Sequence, residues 1–139
     1  MTSSDCFRPD MNQNMKILAF DTSSHHASFA LVQGEKCLAE LHGDFGTRHS
    51  TRIIGEIQYL LELVQWKKED LDALVIGIGP GSFTGLRVCL ATAQGLSFAL
   101  QCPLYGISSL DAMAQTAPDG PSLLATCVDA RKKELYVRF

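Results

Sequence analysis

The chain has 139 residues, 46% of them hydrophobic and 19% charged, and a formal net charge of −3 at pH 7. That length makes one domain with a real core, and the composition excludes a disordered or fibrous chain. Twelve Lys and Arg cluster only at Arg131-Lys132-Lys133, a solvated turn rather than the basic stripe needed to grip nucleic acid alone.

Met1–Asn14 is polar and aperiodic and contains Pro9, which predicts a disordered leader and makes Met15 a candidate start of the folded protein. Ile17–Phe20 reads as a strand ending at the turn formers Asp21-Thr22-Ser23-Ser24. Ala27–Val32 and Cys37–Leu41 follow across the Gln33-Gly34 turn, giving a three-stranded meander, and Gly43–Thr47 reads as a loop. His49–Val64 spaces Ile53, Ile54, Ile57, Leu60, Leu61 and Val64 as a helix does. Lys67–Asp72 is a charged connection to the next strand, Leu74–Ile78.

After that strand comes Gly79-Pro80-Gly81-Ser82-Phe83-Thr84-Gly85, then a helix predicted over Leu86–Leu100. Strand, glycine turn and helix N-terminus form a layout able to cradle an anion. The residues facing such a phosphate would be Asp21, Thr22, Ser23, Gly79, Gly81, Ser82, Thr84, Gly85 and Arg87. It is neither a Walker loop, since Leu86-Arg87 follows Gly85, nor a Rossmann turn, since Thr84 replaces the third glycine. A purely structural tight turn is the reading the glycines favour over phosphate contact. Arg87 falls in the expected first helical turn, where the dipole disfavours a cation, so it needs a carboxylate, an anion or solvent. The helix is apolar nearly all round and must be covered on more than one side. Ala91, Gly95 and Ala99 make a small-residue ridge along it, suited to close helix approach in a core or at a subunit interface.

Pro103–Ile107 is a further strand and Ser108–Ala117 a short helix, N-capped by Ser108 or Ser109. The breaker Ala117-Pro118-Asp119-Gly120-Pro121 precedes strands at Leu123–Val128 and Glu134–Phe139, joined by a turn over Asp129–Lys133. The expected order is βββαβαβα and then ββ: a mixed five-stranded sheet with helices on its faces. Val128-Asp129-Ala130 repeats Phe20-Asp21-Thr22, so the last hairpin reads as the opening of a second lobe. The divisions expected are residues 1–14 as leader, 15–120 as first lobe, and 121–139 as the start of a truncated second one.

The five cysteines are odd in number and show no CxxC pairing, which suits a reducing cytoplasm. No signal peptide is visible, and Arg87, Thr92 and Gln94 interrupt the best candidate for a membrane span. The adjacent His25-His26 point to opposite faces and read as a surface pair. His42 and His49 have no partner at ligand spacing. There is no GxSxG elbow, and neither a metal site nor a triad can be assembled from the spacing. Asp21 and Asp129 could face one another as an acid/base or Mg²⁺ pair, or simply accept turn N–H groups.

The lobe resembles the actin, sugar kinase and Hsp70 superfamily, with its ribonuclease H-like sheet. Met15–Ser23, the string Gly79–Arg87, Ala93–Leu96 and Val128–Arg131 narrow the resemblance to the TsaB (YeaZ) family, over essentially Met15–Phe139. That family was formerly labelled a glycoprotease. The resemblance implies a non-catalytic scaffold for threonylcarbamoyladenosine modification of tRNA. It would stabilise the related catalytic subunit TsaD and help recruit the ATPase TsaE. The metal-binding HxxxH of TsaD would fall at Ser109 and Met113, neither a credible ligand there. The partner face would be built from Ile53, Ile57, Leu60, Val88, Ala91, Thr92, Gly95 and Ala99, and would form homodimers when the chain is alone. ATP would be used by the complex and not bound by this chain alone, with tRNA met only through the complex. The competing expectation is a nucleotide-using enzyme of the same superfamily, a small-molecule kinase or ATPase working at Asp21–Ser23 and Gly79–Gly85.

Overall fold

Alternation decides which side of the sheet is dry. In the first two strands Leu18, Phe20, Ala27, Phe29 and Leu31 point one way and are buried, while Ala19, Ser28 and Ala30 between them stay half-exposed. The computed structural model describes residues 14–44, 49–117, 123–131 and 133–139. Its strands β1 (Lys16–Asp21), β2 (His26–Gln33), β3 (Lys36–Asp44), β4 (Ala73–Gly77) and β5 (Leu104–Ile107) form one mixed sheet in the order β3-β2-β1-β4-β5. The β1–β2 and β2–β3 pairs are antiparallel, and β1–β4 and β4–β5 are parallel. The mixed five-stranded sheet and the element order along the chain are those predicted.

Helices α1 (His49–Leu63) and α2 (Phe83–Leu100) cover the dry face. Ile53, Ile57, Leu60 and Leu61 of α1 and Cys89 and Ala93 of α2 share one core with Leu18, Phe20, Phe29, Leu31, Leu74 and Ile76. Burying each large member contributes about 1.5–3 kcal/mol. Helix α3 (Ser109–Gln115) follows β5, and β6 (Thr126–Arg131) and β7 (Glu134–Arg138) form a separate hairpin. That hairpin rests on α3: the Thr126 hydroxyl donates to the Leu110 carbonyl at 3.1 Å, and Arg138 pairs with Asp111 at 2.5 Å.

Four expectations shift. Helix α2 starts at Phe83 rather than Leu86, because Ser82 accepts from the Gly85 N–H and caps it. Arg87 therefore leaves the first turn, its guanidinium lying 5.5 Å from the Phe83 ring. Strand β3 runs on through Gly43 and Asp44, paired with Ala27 and His26. Asp129 is in β6 rather than in a turn; a register shift lies between it and Arg131, and the chain reverses near Lys133 (φ 66°). Finally, α2, with a mean hydropathy of 1.2 over 18 residues, is long and apolar enough by length and composition to cross a membrane, despite Arg87, Thr92 and Gln94. Its Gly85, Cys89 and Ala93 stripe is packed against the sheet. Residues 1–13 of the leader, Cys6 among them, the Phe45–Thr47 part of the first loop and the Pro118–Pro121 breaker lie outside the described residues.

The core thiol carries a testable consequence. Burial pushes Cys89 up from 9.0 to about 11, only partly offset by hydrogen bonding at Thr22. Between those values the unfolded chain releases a proton that the folded chain keeps. Stability from this group is therefore complete below about pH 9 and is lost as pH rises towards about 11. Denaturant melts from neutral to alkaline pH should show that fall, and Cys89→Ser should flatten it. An unchanged alkaline slope in the variant would refute the assignment.

Candidate functional site

Two turns meet at the carboxyl ends of β1 and β4, where open α/β sheets hold ligands. The first is Asp21-Thr22-Ser23. Asp21 Oδ1 accepts the Ser23 N–H at 2.7 Å, closing an Asx turn, and its Oδ2 accepts the Ser109 hydroxyl at 3.2 Å. Thr22 and Ser23 are buried. The second is the glycine turn, which lies directly on the first. The Ser82 N–H donates to the Ser23 carbonyl at 2.6 Å, and the Thr22 hydroxyl donates to the Gly85 carbonyl at 2.9 Å.

That contact explains the glycines. A Cβ on Gly81 would stand 2.5 Å from the Ser23 carbonyl oxygen, and one on Gly85 only 2.0 Å from that of Thr22. At Gly77, on β4, a Cβ would run into the Asp21 carboxylate at 2.1 Å. Gly79 adds a φ of +89° next to a cis Gly79–Pro80 bond and accepts the Ser109 N–H at 2.8 Å. The glycine turn is thus shaped around the chain's own backbone.

Of the nine residues expected to face a phosphate, Asp21, Thr22, Ser23, Gly79, Gly81, Ser82 and Gly85 are brought together by these contacts. Thr84 and Arg87 lie on the exposed surface of the helix that follows. Asp21 is occupied by turn and hydroxyl donors, the quieter of the two roles open to it. Ser109 belongs to the cluster although 88 residues separate it from Asp21, a distance at which no spacing rule could pair them.

The sheet face away from α1 and α2 is open. Ala19, Ala30, Val75 and Ile107 floor a shallow, mainly apolar recess of about 210 Å³, with Asp21, Ser28, His42 and Ser109 around it. On its rim His42 has two polar neighbours: Ser28 Oγ lies 3.1 Å from Nδ1 and Glu40 Oε2 lies 3.6 Å from Nε2. Alternation on β2 and β3 puts all three on one face. Hydroxyl, imidazole and carboxylate stand in a row, yet Ser28 is mid-strand between two paired neighbours. Its backbone surroundings are committed to the ladder and give no pair of converging N–H donors for an oxyanion. Among the described residues no three His, Cys, Asp or Glu are placed to hold a metal ion. Ser109 and Met113 begin and follow one turn along α3, with Met113 exposed.

The expected partner face divides in two. Ile53, Ile57 and Leu60 are 2%, 4% and 1% exposed, so they belong to the core and are unavailable for docking: their spacing marked the side of α1 that packs on the sheet. Val88 and Thr92 are half-buried, and Ala91, Gly95 and Ala99 are exposed. A Cβ on Gly95 would meet nothing within 4 Å. The apolar side chains that stand outward are Ile54, Tyr59 and Leu63 on α1 and Phe83, Leu90 and Phe98 on α2. On α2, Phe83, Leu90 and Phe98 were legible at helical spacing, but a helix apolar all round does not announce which stripe faces out.

Known proteins share this arrangement. The family model described as "TsaD: tRNA N6-adenosine threonylcarbamoyltransferase" matches residues 41–138. The "tRNA threonylcarbamoyladenosine biosynthesis protein TsaB" of Escherichia coli is 38% identical over 125 residues, covering 88% of this chain and 53% of that one. The protein of the same description from Haemophilus influenzae is 39% identical over 127 residues, covering 89% and 53%. The chain thus spans about half the length of the curated relatives it matches. The solved structure of YeaZ from Pseudomonas aeruginosa superposes with a TM-score of 0.81 at 34% identity, over 88% of this chain and 58% of that one. With sequence, family model and sheet all agreeing, this chain belongs to the TsaB (YeaZ) family.

Proposed function

We propose that this chain acts as a non-catalytic partner subunit in making threonylcarbamoyladenosine on tRNA in the cytoplasm. It docks a TsaD-like catalytic subunit through the outer face of α2 and the adjoining exposed side of α1, and helps to recruit a TsaE-like ATPase. ATP and tRNA are met by the assembled complex. The observation that carries this reading is the outer stripe of α2. Phe83, Leu90 and Phe98 are 74%, 43% and 81% exposed beside the bare ridge Ala91, Gly95 and Ala99. Apolar surface in water costs about 25 cal/mol per Å², which favours covering it with a partner or, lacking one, with a second copy.

Ala91→Glu and Gly95→Arg test this. Both positions are exposed, so the monomer should keep its fold while self-association by light scattering and capture of a TsaD-like subunit are lost. Gly95→Ala has open space for its methyl and should stabilise the helix by up to about 1 kcal/mol. Dimers that persist in Gly95→Arg would show that another face is used. Micromolar binding of ATP with Mg²⁺ by this chain, measured by calorimetry, would favour the nucleotide-using enzyme instead.

A further inference from the structure

Helix α2 carries one charged side chain in 18 residues, and it stands on the outer stripe: Phe83, Arg87, Leu90, Ala91, Gln94 and Phe98 recur at helical spacing. Arg87 is exposed, with its guanidinium 5.5 Å from the Phe83 ring centroid. Among the described residues it makes no ion pair. A guanidinium beside an aromatic ring keeps its planar fork of N–H donors, and that fork suits a carboxylate bound by two parallel hydrogen bonds. So near the helix N-terminus the dipole offers this cation no support. Covering the stripe with a purely apolar surface would strand a charge away from water.

We propose that Arg87 is the specificity contact of the α2 face, reading a carboxylate on a partner of different sequence rather than on a second copy of this chain. The inference rests on that face being the docking surface. A second copy meeting it through Ala91, Gly95 and Ala99 brings an α2 without any acid to set against Arg87. On α1, Glu56 is already held by Arg52 at 2.8 Å. Exposed Glu62 is the carboxylate a copy would have to supply. Self-association therefore leaves both Arg87 side chains without an acid from α2, where the heterologous complex supplies one, and this makes the homodimer the state that gives way.

The two assemblies should then respond differently to salt. Raising it from about 50 mM to about 500 mM screens exposed charges, loosening the complex with a TsaD-like subunit and leaving the homodimer no weaker. Arg87→Ala should weaken the heterologous complex at least about thirtyfold, and Arg87→Lys less, while leaving self-association equal or stronger. Titration calorimetry against a TsaD-like subunit and sedimentation of the chain alone read both, with circular dichroism confirming an unchanged melt at this exposed position. Heterologous affinity within about twofold of wild type in Arg87→Ala would overturn the proposal. So would loss of the homodimer in Arg87→Ala or Glu62→Gln. Failure of the unmutated chain to bind the TsaD-like subunit would instead remove the docking reading itself, and this inference with it.

Discussion

Gly85→Ala is expected to destabilise the chain by about 3 kcal/mol or more and to lower the melting temperature by more than about 10 °C. The added methyl would sit 2.0 Å from the Thr22 carbonyl oxygen, which is backbone and cannot rotate aside. Relief requires the helix start and the β1–β2 turn to separate. That stretches the bond from the buried Thr22 hydroxyl to the Gly85 carbonyl and leaves polar groups unpaired, a cost of about 1–3 kcal/mol by itself. The opposite influence is small, since Ala is favoured over Gly within a helix by about 1 kcal/mol. A thermal melt decides between them, and any increase in stability would mean that the two turns do not touch as described.

Ile57→Ala should cost about 2–5 kcal/mol. The side chain is 4% exposed and belongs to the cluster with Phe29, Leu31 and Leu74, so its removal leaves a cavity between α1 and the sheet. Ile54→Ala, three residues earlier on the same helix and 45% exposed, should stay within about 1 kcal/mol of wild type. The pair separates core from exposed surface on one helix. If Ile57→Ala melted like the parent and failed only to associate, α1 would have to be turned about its axis.

The resemblance carried by Gly79–Arg87 was readable because that string is unusual. Why it is unusual was not. Its glycines fit the backbone of Thr22 and Ser23, some sixty residues away, and a phosphate cradle would ask for the same residue type. The row Ser28, His42 and Glu40 was hidden for a similar reason: two strands must be placed in register before their alternate side chains become neighbours.

Period and punctuation alone determined the element order, the mixed sheet and the apolar stripes, because side-chain alternation and helical spacing are local properties of the chain. They also told that α1 and α2 each have an apolar face. Only the tertiary structure decided which stripe is spent on the core and which is left exposed. Ile53, Ile57 and Leu60 went inward with Cys89 and Ala93, while Leu90, Gly95 and Phe98 remained outside. The physical reason is that burial belongs to the packed whole. A helix records its own periodicity, whereas the direction of the sheet it packs against is set by strands far away in the chain.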